Sequence, residues 1–548
     1  MKIVIIYFLL FFTTIQISFA QLNVGGEPAS WKKTELSDKI KMTLPSFTSG
    51  FIDWYKIKEE DYKDSLNDSP PRFGYDFSVN IDIMQEGTKT ITLEGNQITA
   101  YKFVCKGALS INLLYNKFWL PPGAVMYLYR SDKKQLIGGF TNINNKGSKD
   151  NLKGFGTGLV YGDEVILELF EPKKSINQSI INIAKVIYGY RKIKLPKAFE
   201  NVENYGGSGS CQVNVNCAEG NNWQNEKRGV GMILVNGNRY CTGSIIRSNV
   251  DDGQLYFLTA NHCLGGWANP TEKDAISNPD CPEWSFVWNY ESAGCTNPAT
   301  EPSTTQTTAG ATVVANWNNT DFALLRLTES PYMLPVPYNA FLNGWTRSTT
   351  ITSSGAGIHH PSGDTKKIAT FTSTPASSQS AMSLPGGTNS NYWQVAWAAT
   401  TNGHSVTEGG SSGSPLFNNS GLITGQLLGG SSVNCADPAN DPGVYGKFSV
   451  SWSAGSSAQR RLKDWLDPTN VSPSSLSGAN APCNSSFILS GIVSNNRFIQ
   501  ALSIQSNIFF SSTVSGDGNL HLRAANEIVL KPGFNCTGSM SAYIAPCF

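Results

Sequence analysis

The side chains able to do acid–base and nucleophilic chemistry are few in this 548-residue chain. Its five histidines are His262, His359, His360, His404 and His521. His262 stands just past an apolar run in "LYFLTANHCL", beside Cys263. Cys241, in "RYCTGSIIRS", lies one strand upstream, so a Cys241–Cys263 bridge would pin the turn that holds the imidazole; bridges of this kind contribute roughly 2–4 kcal/mol. Asp321 sits at the mouth of a buried run in "NNTDFALLRL", where an unpaired carboxylate is costly. Alone it reads as a turn-initiating Asp. Set against an imidazole, a buried Asp fixes the tautomer and stabilises the imidazolium. The third element is "TEGGSSGSPLF", Thr407–Phe417, with three serines in a glycine-rich turn. The order His262, Asp321, Ser412, with separations of 59 and 91 residues, predicts a nucleophile, its base and the group that orients the base.

Two serines compete for the first role. "GGSSG" (409–413) fits the G-x-S-x-G elbow of α/β-hydrolases, with Ser411 as nucleophile, but that architecture needs an acid and then a His after the serine, on a parallel sheet. Only His521 follows, near the end of the chain, and no βαβ alternation surrounds the motif. Aligned instead to the G-x-S-G-x-P turn of trypsin-like enzymes, Ser412 is the nucleophile, in the His-Asp-Ser order of chymotrypsin-type enzymes. The amides of Gly410 and Ser412 then face the developing oxyanion, where one donor is worth ~2.7–4 kcal/mol. "GIHHPSGDTKK" (357–367) could suggest a metal through His359, His360 and Asp364, yet adjacent residues of a strand point to opposite faces; a structural loop is expected.

With these residues in view, the chain resembles secreted bacterial trypsin-like serine peptidases of the lysyl endopeptidase type. The matching pieces are "GSGSC" (207–211), "CTGS" (241–244), "YFLTANHC" (256–263), "WNYESAGC" (288–295), "TDFALLRL" (320–327), "VTEGGSSGSP" (406–415) and "LKDWLDP" (462–468). The resemblance implies a chymotrypsin-like double β-barrel, a triad of His262, Asp321 and Ser412, and disulfides Cys211–Cys435, Cys217–Cys295 and Cys241–Cys263, with Cys281 unmatched. It implies acyl transfer with no cofactor and no metal. Trypsin's own turn carries Asp before the nucleophile to receive the new N-terminus on activation. Here that residue is Ser411, so activation is expected to avoid that ion pair, with Cys211–Cys435 tethering the mature N-terminus.

On specificity the resemblance and the residues diverge. Lysyl endopeptidases hold the substrate ammonium with an Asp two residues before the Tyr of their "Y-G-R" strand; that place here is Gly443, before Tyr445. Their strand "Q-L-H-G-G" reads "GQLLGG", with Leu428 in place of His. Val406 stands where trypsin has its pocket acid. A pocket of Val406, Thr407, Leu428, Gly429, Gly430 and Gly443 reads as neutral, and a desolvated cation without an anion is strongly disfavoured. A large neutral or aromatic residue on the acyl side is therefore expected, and a mature chain starting at Gly206, after Tyr205, would agree. Asp441 and Glu408 are the acids placed to restore a preference for Lys or Arg. Rival readings are a Lys-specific enzyme and an inactive protease-like surface adhesin.

The elements that must carry these residues are strands. Apolar residues are 40% and charged residues 15% of a chain rich in Gly, Ser, Thr and Asn, with a formal net charge of +1, which gives no reason to expect nucleic acid or an anionic membrane as partner. Residues 1–20 read as a secretory signal peptide: Lys2, the apolar run Ile3–Phe12, then Ser18-Phe19-Ala20. Residues 21–205 alternate with period two, as in "YDFSVNIDI" and "DEVILELFEP", predicting an antiparallel sandwich that serves as a pro-segment, inhibiting or aiding folding. The protease domain is expected over 206–468, closed by a helix in "AQRRLKDWL" that Pro468 stops. A linker spans 469–482 and a small β-rich module for surface retention or sorting spans 483–548. The whole is an all-β, exported, monomeric protein acting on proteins or peptides, without a membrane span. Eleven cysteines suit an oxidising compartment, and Cys536–Cys547 is a further pair to consider.

Overall fold

The structure is a computed structural model. It describes residues 26–31, 44–66, 69–190, 207–250, 252–265, 280–297, 302–304, 306–329, 331, 334, 338–377, 389–430, 435 and 437–481, and, chiefly as backbone, the strands between 487 and 544. The signal-peptide segment, the Tyr205–Gly206 junction, Cys483 and Cys547 lie outside the described residues. Among the described residues no helix is long and apolar enough to cross a membrane.

The alternating runs of the N-terminal part form two sheets. One is six-stranded, with Ser46–Thr48, Gln97–Val104, Glu164–Glu171, Val125–Arg130 and Leu136–Phe140 in that spatial order and Thr88–Ile91 beside Gln97–Val104. The other is five-stranded, with Gly74–Asp82, Ile180–Gly189, Ser110–Trp119 and Lys153–Gly156 in order, and Val160–Tyr161 on the same long strand. Period-two patterning sends Phe103, Leu113, Tyr115, Leu128, Leu167 and Val186 into one shared core, as a sandwich requires. All pairs are antiparallel except Ser46–Thr48 on Gln97–Val104, which is parallel.

One helix, Trp54–Leu66, has no counterpart in the strand pattern. The Asp53 carboxylate accepts from the Tyr55 and Lys56 amides at its start, and Lys56–Glu60 and Glu59–Lys63 form i,i+4 pairs along it. Such pairs support a helix by only a few tenths of a kcal/mol each, so it is its packing that fixes it: Trp54 stacks edge-on with Tyr188 and Tyr190.

The middle third is all-β and two-lobed. Val230–Val235, Arg239–Ile246, Tyr256–Ala260, Phe322–Leu327, Thr307–Trp317 and Asp280–Val287 close into a barrel. The second lobe is a ten-stranded sheet containing Gly355–His359, Lys367–Phe371, Pro415–Asn418, Leu422–Gly430 and Gly443–Lys447. The expected helix in "AQRRLKDWL" is reduced to a 3-10 turn Ala458–Arg460 and a single turn Lys463–Leu466, because Arg461 is extended (φ −153°, ψ 155°). Arg460 is drawn out of helical register to bond Asn316, while Leu462 and Leu466 are fully buried in the lobe interface. The strand Gly443–Lys447 runs directly into the helix Phe448–Ser453.

In the C-terminal part every strand pair is parallel, and consecutive strands alternate between a four-stranded and a three-stranded sheet. A parallel pairing is not something the patterning of its short strands reveals.

Candidate active site

The pairing of two barrel strands brings His262 to Asp321. Tyr256–Ala260 and Phe322–Leu327 run antiparallel with Ala260 opposite Phe322, so the residues just past the first and just before the second meet at one barrel end. Asp321 follows the 3-10 turn Asn318–Thr320 in the left-handed region, φ 54°, which Asp tolerates better than most residues. Two contacts from the second lobe hold that turn: Gln426 Nε2 donates to the Thr320 carbonyl (2.7 Å) and Ser451 Oγ bonds Thr320 Oγ1 (2.9 Å). The carboxylate grips both ends of the histidine. Oδ1 accepts from the His262 backbone N–H at 2.9 Å and Oδ2 lies 2.8 Å from Nδ1, with both side chains 2% exposed or less. A carboxylate here can only accept, so a neutral ring carries its proton on Nδ1 and presents a bare Nε2.

The serine turn comes from the other lobe and is stitched to the barrel. The Thr242 N–H donates to the Ser412 carbonyl (2.9 Å) and the Thr242 hydroxyl to the Gly410 carbonyl (2.8 Å). Gly413 has φ +83°, and a Cβ there would stand 2.2 Å from Thr259 Oγ1 and 2.5 Å from the Thr242 carbonyl. Only glycine fits. Backbone donors alternate along the turn: Ser411 N–H goes to the Glu408 carbonyl and Gly413 N–H to the Leu427 carbonyl. Among the described residues no hydrogen bond takes the Gly410 or Ser412 amide.

The two serines are in opposite circumstances. Ser411 is fully buried; its oxygen accepts from the Glu408 N–H (3.1 Å) and its hydroxyl lies 2.7 Å from His359 Nδ1. The hydroxyl is thus committed to two buried partners, the Glu408 amide and the His359 ring. Ser412 is partly exposed and lines the same cavity as His262. The neighbouring His360 turns the other way, its Nδ1 2.9 Å from the Asp364 carbonyl. Burial, with a smaller contribution from nearby lysines, pushes both imidazoles down to about 3, so they are neutral structural groups.

Three disulfides are present, Cys211–Cys435, Cys217–Cys295 and Cys241–Cys263; Cys281 is in none of them. Burial pushes the Cys105 thiol up to about 12, which leaves it unreactive. Glu408 lines the cavity of His262 and Ser412, with its carboxylate engaged: Oε1 accepts from Gly209 N–H (2.9 Å) and Gln212 Nε2 (2.8 Å), Oε2 from Ser362 Oγ (3.1 Å). It ties the segment before Cys211 to the serine turn, a role no sequence pattern announced.

A cavity of about 230 Å³ opens beside Ser412. Four of the six predicted pocket residues line it, Thr407, Leu428, Gly429 and Gly430. Two do not. Val406 is fully buried against Trp393, Val395, Trp397 and Tyr445, and a Cβ on Gly443 would collide with the Trp397 and Tyr445 rings at 2.8 and 2.9 Å, so Gly443 makes room for those rings and not for a substrate. Asp441, one of the two acids placed to restore a preference for Lys or Arg, stands behind the wall of this cavity. It is 2% exposed, and its Oδ1 lies 3.1 Å from where a Cβ on Gly430 would point, with Thr407 Oγ1 at 3.3 Å. A carboxylate therefore backs the glycine wall. The pairing of Leu422–Gly430 with Gly443–Lys447 slips between Leu427 and Gly429, and Asp441 precedes the first residue of the second strand by two.

Residues 205–446 match the family model of the lysyl endopeptidase C-terminal domain. Over 305 residues the chain is 27% identical to a lysyl endopeptidase of Pseudomonas aeruginosa, covering 52% of this chain. It spans 59% of the length of that curated relative. Among solved structures, the chain is similar to the HtrA-type protease AlgW bound to a tripeptide (16% identity, TM-score 0.27, 42% of this chain and 60% of that one). It is also similar to neuropsin, a serine protease of the mouse brain (17% identity, TM-score 0.27, 41% and 91%). In sequence, the similarity is thus to the lysyl endopeptidase type.

Proposed function

We propose that the chain is an exported serine endopeptidase. The observation that carries this reading is the two-point grip of Asp321 on His262 in a cavity shared with Ser412, while Ser411 is locked to His359. Ser412 Oγ attacks the substrate carbonyl carbon as His262 Nε2 takes its proton. The carbonyl oxygen becomes an oxyanion facing the Gly410 and Ser412 amides. Collapse breaks the C–N bond, and the same proton passes from Nε2 to the leaving amine. Water then repeats the sequence on the acyl-enzyme, returning the proton to Ser412 and freeing the acid. Asp321 orients the ring and holds the imidazolium.

For the acyl-side residue, Asp441 favours a lysine: a buried carboxylate behind Thr407 and Gly430 offers an anion at the end of a long side chain, where a Tyr or Phe would leave it facing carbon. The name of the relative in Pseudomonas aeruginosa agrees. The neutral, aromatic reading retains the glycine-lined wall of Gly429 and Gly430 in its support. Cleavage-site mass spectrometry on a denatured protein mixture, with Ser412→Ala as blank, separates them. With the processed chain, freed of its N-terminal sandwich, cuts after Lys establish the first, cuts after Tyr, Phe or Leu the second, and no cutting refutes the peptidase and leaves the surface adhesin.

A further inference from the structure

The cavity that contains His262 and Ser412 is not walled by the protease lobes alone. Its remaining side is Asp61, Asp64, Ser69, Pro71 and Arg72, from the N-terminal sandwich. Between the helix Trp54–Leu66 and the strand Gly74–Asp82, residues 70–73 lie against the barrel hairpin as an added, antiparallel piece of strand. The Tyr240 N–H donates to the Pro71 carbonyl (3.0 Å), the Phe73 N–H donates to the Asn238 carbonyl (2.8 Å), and Arg72 stands opposite Arg239. Side chains seal the join. Phe73 stacks on Tyr240 at 4.4 Å and 17°, while Arg239 reaches the Pro70 carbonyl and the Asp64 carboxylate, each at 2.7 Å.

We infer that Pro70–Phe73 is a built-in occupant of the leaving-group side of the cleft and keeps the uncleaved chain latent; this rests on the proposed function above. The acyl residue belongs at the Leu427–Gly430 edge, so the chain beyond the scissile bond must pass over Ser412 towards Tyr240 and the Cys241–Cys263 bridge, the ground that Pro70–Phe73 holds. Main-chain pairing of an extended segment to an exposed edge is how peptides are commonly bound, so a substrate needs the Tyr240 amide that Pro71 occupies.

The segment is also made to resist being cut. The bonds before Pro70 and Pro71 are tertiary amides whose nitrogens carry no hydrogen. Arg72, its one basic side chain, is turned away from the acyl pocket and held by its own helix: Asp61 and Glu60 at 2.9 Å each, and the Ile57 carbonyl at 3.4 Å. Both flanks are anchored in the sandwich, since the strand after Phe73 pairs with Ile180–Gly189 and the Tyr190 N–H donates to the Phe73 carbonyl (3.0 Å).

The test uses the full-length chain, its integrity verified by intact mass, and a quenched peptide extending several uncharged residues beyond its scissile lysine. Processed chain, cleaved between sandwich and protease and separated from the sandwich, is the positive control. The intact chain should turn the peptide over at least 100-fold more slowly than the processed chain. Asp64→Lys, which sets a lysine against Arg239, and separately Phe73→Ala should each raise the intact rate at least 10-fold, and Asp64→Lys with Arg239→Asp should return it towards latency. Equal rates for intact and processed chain overturn the inference and leave the peptidase standing. So does a processed chain that is fast beside intact variants as slow as the intact parent. If no form cleaves the peptide and none reacts with a fluorophosphonate at Ser412, it is the peptidase reading that has failed.

Discussion

Among single residues, the adjacent serines give the sharpest contrast. Ser412→Ala removes the attacking oxygen and should lower turnover by about 10⁶, read as loss of both cleavage and fluorophosphonate labelling. Ser411→Ala leaves the attacking oxygen in place but strands the Glu408 N–H and His359 Nδ1, two buried groups. It should cost about 1–3 kcal/mol of stability, measured by urea unfolding, while labelling persists. His359 supplies a pH prediction on the same contact. Its folded-state affinity for protons, about 3, lies below the ordinary histidine value near 6.5, so the unfolded chain binds the proton more readily. The penalty is absent above pH 6.5 and grows as pH falls towards 3, reaching about 2 kcal/mol at pH 5 for one ring. His359→Asn should flatten the stability profile between pH 6.5 and 4.5 by about one proton. Asp441→Asn belongs here too: if the buried carboxylate receives the substrate ammonium, kcat/KM for lysyl peptides should fall at least 100-fold, with little change in fluorophosphonate labelling.

Strands and turns explain why some of this was legible before any coordinates. His262, Asp321 and the serine turn each sit at the end of a short apolar run, and an apolar run that stops at a polar residue is a strand end whether or not its partner is known. Chain order alone made Ser412 rather than Ser411 the expected nucleophile. The loss of Val406 and Gly443 from the pocket was not legible, because both are taken up by the packing of Trp397 and Tyr445, which no count of residues reveals. Neither was the helix Trp54–Leu66, whose solvent face carries Tyr55 and Tyr62 (88% and 65% exposed) and so hides its periodicity; Asp53 as cap and the Glu59–Lys63 spacing were the available signals. The disulfides allow a test of what positions the histidine. Cys241–Cys263 closes a short loop, of separation 22, around the His262 turn, whereas Cys217–Cys295, of separation 78, is remote from it. Replacing either pair by serine should lower stability by about 3–5 kcal/mol, measured as the shift in urea midpoint at constant slope. Only the Cys241/Cys263 replacement should also lower kcat, since it alone loosens the imidazole.

Taken whole, the molecule keeps its N-terminal sandwich on the protease through more than the cleft segment. Lys146 donates to the Pro282 carbonyl (2.9 Å), Asn112 to the Gly237 carbonyl (3.0 Å), and Phe73 and Leu159 share a buried cluster with Met232, Leu234 and Val287. Cleaving the connection between the two parts leaves every one of these contacts intact, so latency should end with departure or destruction of the sandwich and not with the cut itself. What the departing segment uncovers then describes a substrate. Phe73 leaves an aromatic platform on Tyr240, and Asp64 leaves Arg239 without its acid. A peptide with an aromatic residue over Tyr240 and an acid within reach of Arg239 repeats both contacts, worth about 0.5–1.5 kcal/mol for the ring pair and at most about 1 kcal/mol for the part-exposed ion pair. Together that is of the order of tenfold in kcat/KM. The expected result, in a peptide library varied only beyond the scissile bond and read with the processed enzyme, is a preference for aromatic and acidic residues on that side. Tyr240→Ala should erase the aromatic part and Arg239→Glu should turn the acidic part towards lysine, each without altering the residue chosen on the acyl side, because Asp441 and Gly430 stand at the opposite end of the cleft.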